Sequence, residues 1–281
     1  MASVRANKQL CSNKLIVISI LIVPILLVLA CSESGRSVAL SDLAPQNLSG
    51  RDFSYENISA ANLSGKNLQK AKLKATRFSS CDLSGADLRG ADLTDAGIQD
   101  SNLTGADLRG AKLDGACLAR NIWTGAKLDE KWARFVGLIS DGIQPGQDLR
   151  GYDLSYTCLA YYNLDRVDLR GVNLTGAKIS SLHLNDANLA QADLHQARLS
   201  GVSMNGANLA QANLHDANLG SVSLRDAVLS GADLSRAELF DVNLVGAVVT
   251  QSQLEAADVK CIRMPDNSIK GTGCYGDYPN P

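Results

Sequence analysis

An apolar residue returns at every fifth position through most of the chain. From Leu43 the register passes through Leu48, Phe53, Ile58, Leu63, Leu68 and Leu73 and reaches Leu118, Trp123 and Leu128. After a break it resumes one residue out of phase at Leu149 and runs to Leu254 and Val259. The two runs hold 18 and 23 repeats. A period of five suits neither a helix, which wants 3.6, nor a flat strand, which wants 2. It suits a coil in which each five-residue unit forms one side and then turns a corner, so internal repetition is the first feature to read.

The residue two before each register position is usually alanine, as at Ala61, Ala71, Ala86, Ala106, Ala192 and Ala212. A small side chain there can point inward beside leucine without overfilling a narrow interior. Tyr162, Leu182, Val202, Val222 and Val242 break this rule, and they recur every 20 residues. Four repeats per turn follow, with one inner corner filled differently. With coils one strand spacing apart, the runs predict rods of about 22 Å and about 28 Å. Each coil then contacts only its neighbours. The predicted fold class is all-β.

Stretches such as Ala86-Asp87-Leu88-Arg89-Gly90-Ala91-Asp92-Leu93 and Ala207-Asn208-Leu209-Ala210-Gln211-Ala212-Asn213-Leu214 carry a resemblance. The chain resembles the pentapeptide-repeat family, whose motif is Ala-Asp/Asn-Leu-x-x, over roughly residues 43–128 and 147–260. That resemblance implies a right-handed quadrilateral β-helix with leucine or phenylalanine stacked inside. It supplies no common catalytic residues, and family members mimic DNA or bind a partner protein.

Residues 129–148 interrupt the repeats. Trp132, Phe135, Val136 and Ile139 fall on one face of a short helix. Asp129 and Glu130 suit its positive N-terminal end, and Gly142 with Pro145-Gly146 ends it and turns the chain back. Two readings stand: the helix covers a coil and joins two segments, or Trp132 and Phe135 project as a docking element for another protein. Segment 149–260 carries the second run. The tail 261–281 is expected to fold partly over the last coil, with Tyr275 and Tyr278 near the open end.

Ahead of the repeats, Arg5, Lys8 and Lys14 precede an apolar run over residues 15–30 that ends at Ala30-Cys31. This is the layout of an export signal, and Val28-Leu29-Ala30-Cys31-Ser32 resembles a bacterial lipoprotein cleavage box. Cys31 is then the lipid attachment site, and residues 31–42 a polar tether. An uncleaved N-terminal membrane anchor and a plain cleaved signal are the alternatives. Each version exports the repeats, because the basic residues stay inside. Beyond residue 30 the chain has 24 basic against 29 acidic residues, a net of −5. That mild, mixed charge argues against nucleic acid as a partner and imitates DNA poorly.

Cys81 occupies an alanine-type inward position. Cys117 and Cys158 directly precede Leu118 and Leu159, at the corner position expected to be partly exposed. Cys261 and Cys274 flank the tail and could form a disulfide or remain two free thiols, the former permitted by export. His195 and His215 lie 20 residues apart, so they should stack in an outward column with Thr175, Ser235 and Glu255. Two imidazoles could share a metal, but a third ligand is not evident and no metal or cofactor is expected. His183 is isolated. The aspartates before each leucine, such as Asp87, Asp92 and Asp168, read as corner-forming groups rather than an acid–base pair. No nucleophile triad, phosphate loop or dinucleotide fingerprint occurs. The expected function is a non-enzymatic envelope scaffold for an unknown envelope protein, able to dimerise through its ends. The alternatives are a topoisomerase-binding DNA mimic and a metal-binding or enzymatic rod.

Overall fold

The computed structural model describes residues 43–271. Each turn of chain takes 20 residues, and the proof is in the register. On the first side of the coil, β1 (Asn57–Ser59), β2 (Arg77–Ser79), β3 (Gly97–Gln99) and β4 (Cys117–Ala119) pair in parallel, with Ile58 opposite Phe78 and Ile98 opposite Leu118. Beyond the break, β5 (Cys158–Ala160), β6 (Lys178–Ser180), β7 (Arg198–Ser200), β8 (Asn218–Gly220) and β9 (Glu238–Asn243) do the same. The other three sides are held by single parallel bridges at the same spacing: Asp82 to Asn102 on the second, Asp87 to Asp107 on the third, Asp92 to Lys112 on the fourth. The predicted quadrilateral β-helix is the observed fold.

The interior follows the sequence pattern. Leu63, Leu73, Leu93, Leu103, Leu189 and Leu194 are fully buried, as are Ala86, Ala91, Ala187 and Ala192 two residues before four of the register positions. Leu182, Val202, Val222 and Val242 are buried in their own column, and Tyr162 is half-buried at its foot. Each corner is made locally. The Asp or Asn before leucine accepts the N–H two residues on, as Ser84 N to Asp82 Oδ1 (3.0 Å) and Thr104 N to Asn102 Oδ1 (3.1 Å) show. The next residue takes a positive φ, +66° at Gly90 and +61° at Asp95, which glycine and short polar residues reach most easily. The carboxylate bank is therefore corner chemistry.

At the break, α1 (Glu130–Asp141) forms where the sequence places a helix. Trp132 and Phe135 do not project from it, which corrects the docking expectation. Phe135 is 0% exposed and Trp132 6%, and the two rings meet edge-on at 6.0 Å. Their apolar area is removed from water by the coil itself, the lowest-energy use of two large rings beside an open core. Asp129 at the helix start accepts Gly110 N–H on the first run (3.0 Å to Oδ2), while Lys131 Nζ donates to Ser155 O on the second (2.7 Å). The helix thus ties the two runs together across the fourth side. Gly142, at φ +76°, ends it.

On the first side no residue intervenes. Cys117 and Cys158 form a disulfide across β4 and β5, and Gly115 N–H donates to Tyr156 O (2.6 Å). Cys117 is partly exposed, as the sequence leads one to expect, whereas Cys158 is buried. The insertion leaves the coil on one side and returns one layer up, so positions 41 residues apart become neighbours.

The C-terminal end also departs from expectation. A short helix, α2 (Gln251–Glu255), replaces one repeat, closed by a capping box between Thr250 and Gln253, and it still buries Leu254. The chain does not leave the register at Ile262. In β10 (Asp258–Arg263) Ile262 pairs with Val242 at the regular 20-residue offset and buries fully, the register slipping only at Cys261, which lies opposite Phe240. Then β11 (Ile269–Gly271) turns back antiparallel and covers the outer edge of β10. Cys261 is disulfide-bonded, and its partner lies outside the described residues, as do Cys274, Tyr275 and Tyr278. Cys81 is a free, buried thiol, its pKa pushed up by burial. Among the described residues no helix is long and apolar enough to cross a membrane.

Candidate functional site

With the interior filled, any chemistry has to sit on the outer corners. The corner between the fourth and first sides carries a shallow groove of about 770 Å³ running from Thr94 and Asp95 on the first run to Arg236 and Glu238 on the second. It crosses the junction, its lining including Gly115 of the first run and Tyr156 of the second. Lys178, on β6, reaches down across the junction: its Nζ lies 2.7 Å from Asp95 Oδ1 and donates to Gly115 O at 3.0 Å. Two glycines make this passage. A Cβ on Gly115 (φ +71°) would overlap the Asp95 carboxylate, and a Cβ on Gly176 (φ +62°) would enter the Tyr156 ring. Tyr156 lies in the groove and is 41% exposed, with Lys131 Nζ 5.9 Å from its ring centre.

Further along the groove, Asp216 accepts from Arg236 Nε (2.8 Å), and Glu238 Oε2 accepts from Asn218 Nδ2 (2.6 Å). Beside it stand the stacked histidines. His195 and His215 rings lie parallel within 8°, 5.3 Å apart, so the predicted column exists. His195 Nδ1 is 3.0 Å from His215 O, and His215 Nδ1 is 2.7 Å from Ser235 Oγ. The expectation that no third ligand is near is corrected: Asp216 Oδ2 lies 3.3 Å from His215 Nε2, and His195, His215 and Asp216 can bring one donor atom each within 4.8 Å of one another. The sequence analysis does not single out Asp216, which follows His215 directly. Its corner, at φ +55°, is what turns the carboxylate back toward the ring beside it. His183 is exposed on the second side, away from this group.

The third side has a different character. The phrase Asp-Leu-Arg-Gly occurs there four times, and each arginine folds back on its own aspartate: Arg89 to Asp87, Arg109 to Asp107 and Arg170 to Asp168 at 2.6 Å, Arg150 to Asp148 at 2.7 Å. Arg150 Nε also lies 3.4 Å from Asp168 of the next coil. These hydrogen bonds hold the carboxyls below the usual range, Asp148 at about 2. The acidic groups of this side are neutralised where they stand. Cys31, the expected lipid site, lies outside the described residues.

The sequence profile described as pentapeptide repeats matches in eight copies, over residues 57–95, 86–120, 148–186, 183–220 and 217–255. None of the curated proteins matches the chain. Similar solved structures include HetL, a pentapeptide repeat protein involved in heterocyst differentiation regulation from the cyanobacterium Nostoc sp. strain PCC 7120. It is 27% identical, covering 81% of this chain and 94% of its own, with a TM-score of 0.31. QnrB1, a plasmid-mediated fluoroquinolone resistance protein, is 19% identical over 74% of this chain and 81% of its own, with a TM-score of 0.27. A pentapeptide repeat protein of the Arabidopsis thaliana thylakoid lumen is 30% identical over 40% of this chain and 74% of its own, with a TM-score of 0.20. The profile matches cover both runs and stop at the helical break between them, in agreement with the 20-residue register, and the chain belongs to the pentapeptide-repeat family.

Proposed function

We propose that the protein is a non-catalytic scaffold, anchored in a bacterial envelope through Cys31, whose groove docks a partner protein. The observation that carries this reading is the continuity of the groove over both runs. Its walls offer an exposed tyrosine and arginines beside carboxylates, the residue types that anchor protein interfaces. The core of stacked, fully buried leucines and alanines favours a surface role. The basic, apolar N-terminal segment ending at Cys31 supports export, and two acyl chains suffice for stable anchoring. A DNA mimic acting on a topoisomerase fits poorly, because mimicry needs free carboxylates and the third side pairs its own with arginine.

Two measurements test the reading. Mass spectrometry of the mature N-terminus from membranes should show a diacylglyceryl Cys31, and an unmodified, intact leader would refute the lipid anchor. A photo-crosslinking residue at Arg198, in the groove, should give a discrete protein adduct in intact cells that the same residue at Arg109, on the third side, does not. Identical adducts at both positions, or none at either, would refute groove docking.

A further inference from the structure

We propose that His195, His215 and Asp216 form a binding site for a divalent transition ion of the zinc class. The case begins with the tautomers. The carbonyl of His215 can only accept, so His195 carries its proton on Nδ1 and presents a bare Nε2 lone pair. His215 is open to either tautomer, with Ser235 Oγ 2.7 Å from Nδ1 and Asp216 Oδ2 3.3 Å from Nε2, and an ion at Nε2 selects the one in which Nδ1 donates to Ser235. Metal-binding histidines are oriented by such a hydrogen bond from the other ring nitrogen. The carboxylate is oriented too: Arg236 Nε holds Asp216 Oδ1 at 2.8 Å, and Oδ2 is left facing His215 Nε2 at 3.3 Å.

The donors fit one class of ion. Two imidazoles and one carboxylate suit zinc, nickel, cobalt or copper, whereas calcium and magnesium want oxygen alone. Bonds of about 2.0–2.2 Å put tetrahedral donors about 3.4 Å apart. One ligand atom from each of the three residues lies within 4.8 Å of the others, and binding turns the two parallel rings, 5.3 Å apart, toward a common ion. Three protein ligands leave a fourth position toward the groove, open to water or to a donor from another molecule. The coil supplies the rigidity: His195 and His215 are equivalent positions of adjacent turns, held by the Leu194 N to Asn213 O and Leu214 N to Asp233 O hydrogen bonds (2.7 and 2.8 Å).

The test uses the full chain, stripped with chelator and titrated with zinc chloride, with cobalt(II) chloride as a spectroscopic probe. The expected result is one tight equivalent of zinc, a higher unfolding temperature with zinc, and visible cobalt absorption of tetrahedral strength. His195→Gln and His215→Gln should weaken binding by more than the roughly 10- to 100-fold that loss of an outer-shell partner costs. Asp216→Asn, which keeps size and shape, should weaken it by about tenfold or more. His183→Ala should leave it unchanged. Circular dichroism matching the parent confirms that the variants fold. No tight equivalent in the parent, or equal affinity in folded His195→Gln and Asp216→Asn proteins, would overturn the site.

Discussion

Cys117 and Cys158 are separated by 41 residues, yet their α-carbons lie 4.9 Å apart and their sulfurs are bonded. That distance is the spacing of neighbouring coils. The insertion between them adds chain without adding a layer on the first side, but β4 and β5 close two separate sheets, and the disulfide and the Gly115 N–H to Tyr156 O bond join the runs there in place of a strand ladder. The fourth side, by contrast, is bridged by α1 through Asp129 and Lys131.

Reduction should loosen this junction. Closing a 41-residue loop is worth about 2–4 kcal/mol. We expect Cys117→Ser/Cys158→Ser protein to unfold at lower denaturant by that margin and to be nicked by protease within 129–148 at lower concentration. Equal midpoints for the parent and the double variant would show that α1 and the coil contacts alone hold the runs together.

Phe135 distinguishes a covering helix from a docking one. Its complete burial makes Phe135→Ala a cavity-forming change costing about 3–5 kcal/mol. A projecting docking residue would cost nearly nothing when truncated. Chemical denaturation of the isolated variant decides between them, and an unchanged midpoint would return Phe135 to the surface.

The inner corners differ in the volume they accept. Ala207 and Val222 are both buried two residues before a register position, but only the Val222 column also accommodates leucine, at Leu182. Val222→Leu should therefore cost less than about 1.5 kcal/mol, and Ala207→Leu about 1–3 kcal/mol or more. Comparable losses in thermal unfolding of the two variants would mean that the corners are not distinct.

The arginine–aspartate ladder sets an acid limit. Arg150 holds the Asp148 carboxyl down to about 2, and Asp87, Asp107 and Asp168 are lowered by hydrogen bonds from their own arginines. These folded values lie below the unfolded value of about 3.9. Each group thus adds stability that is fully present above about pH 4 and is lost as pH falls through the folded value. Because the arginines are about half exposed, the gain is modest and weakened by salt. Carboxyl carbon NMR should find Asp148 titrating near 2 in the parent and higher in Arg150→Gln. A parent midpoint near about 3.9 would show the pair to be open in solution.

Much of this architecture was legible before any coordinates. The fifth-residue leucines gave the core, and Leu182, Val202, Val222 and Val242 gave four sides, because solenoid packing writes its geometry directly into periodicity. The helix at Trp132 was legible for the same reason, but its orientation was not, since an apolar face looks alike whether it is buried or offered. The Cys117–Cys158 bond was hidden by the phase shift. Both residues hold the same place before a register leucine, and that equivalence was the available clue. Asp216 was hidden more deeply, for it differs from other corner acids only in the ring it faces. Ile262 continues the Leu182–Val242 column at the same 20-residue interval, a continuation masked by the prolines and glycines that follow it.

The central claim is that the two runs stand one coil spacing apart on the first side, with the groove carried across the junction. Pulsed electron resonance between orthogonally attached spin labels at Gln99 and Phe240, both exposed on that side, tests it most directly. Six coil spacings separate the two positions, so a single distance near about 29 Å is expected. A separation larger by about 10 Å, the thickness of a helix inserted between the runs, or a broad distribution would contradict it.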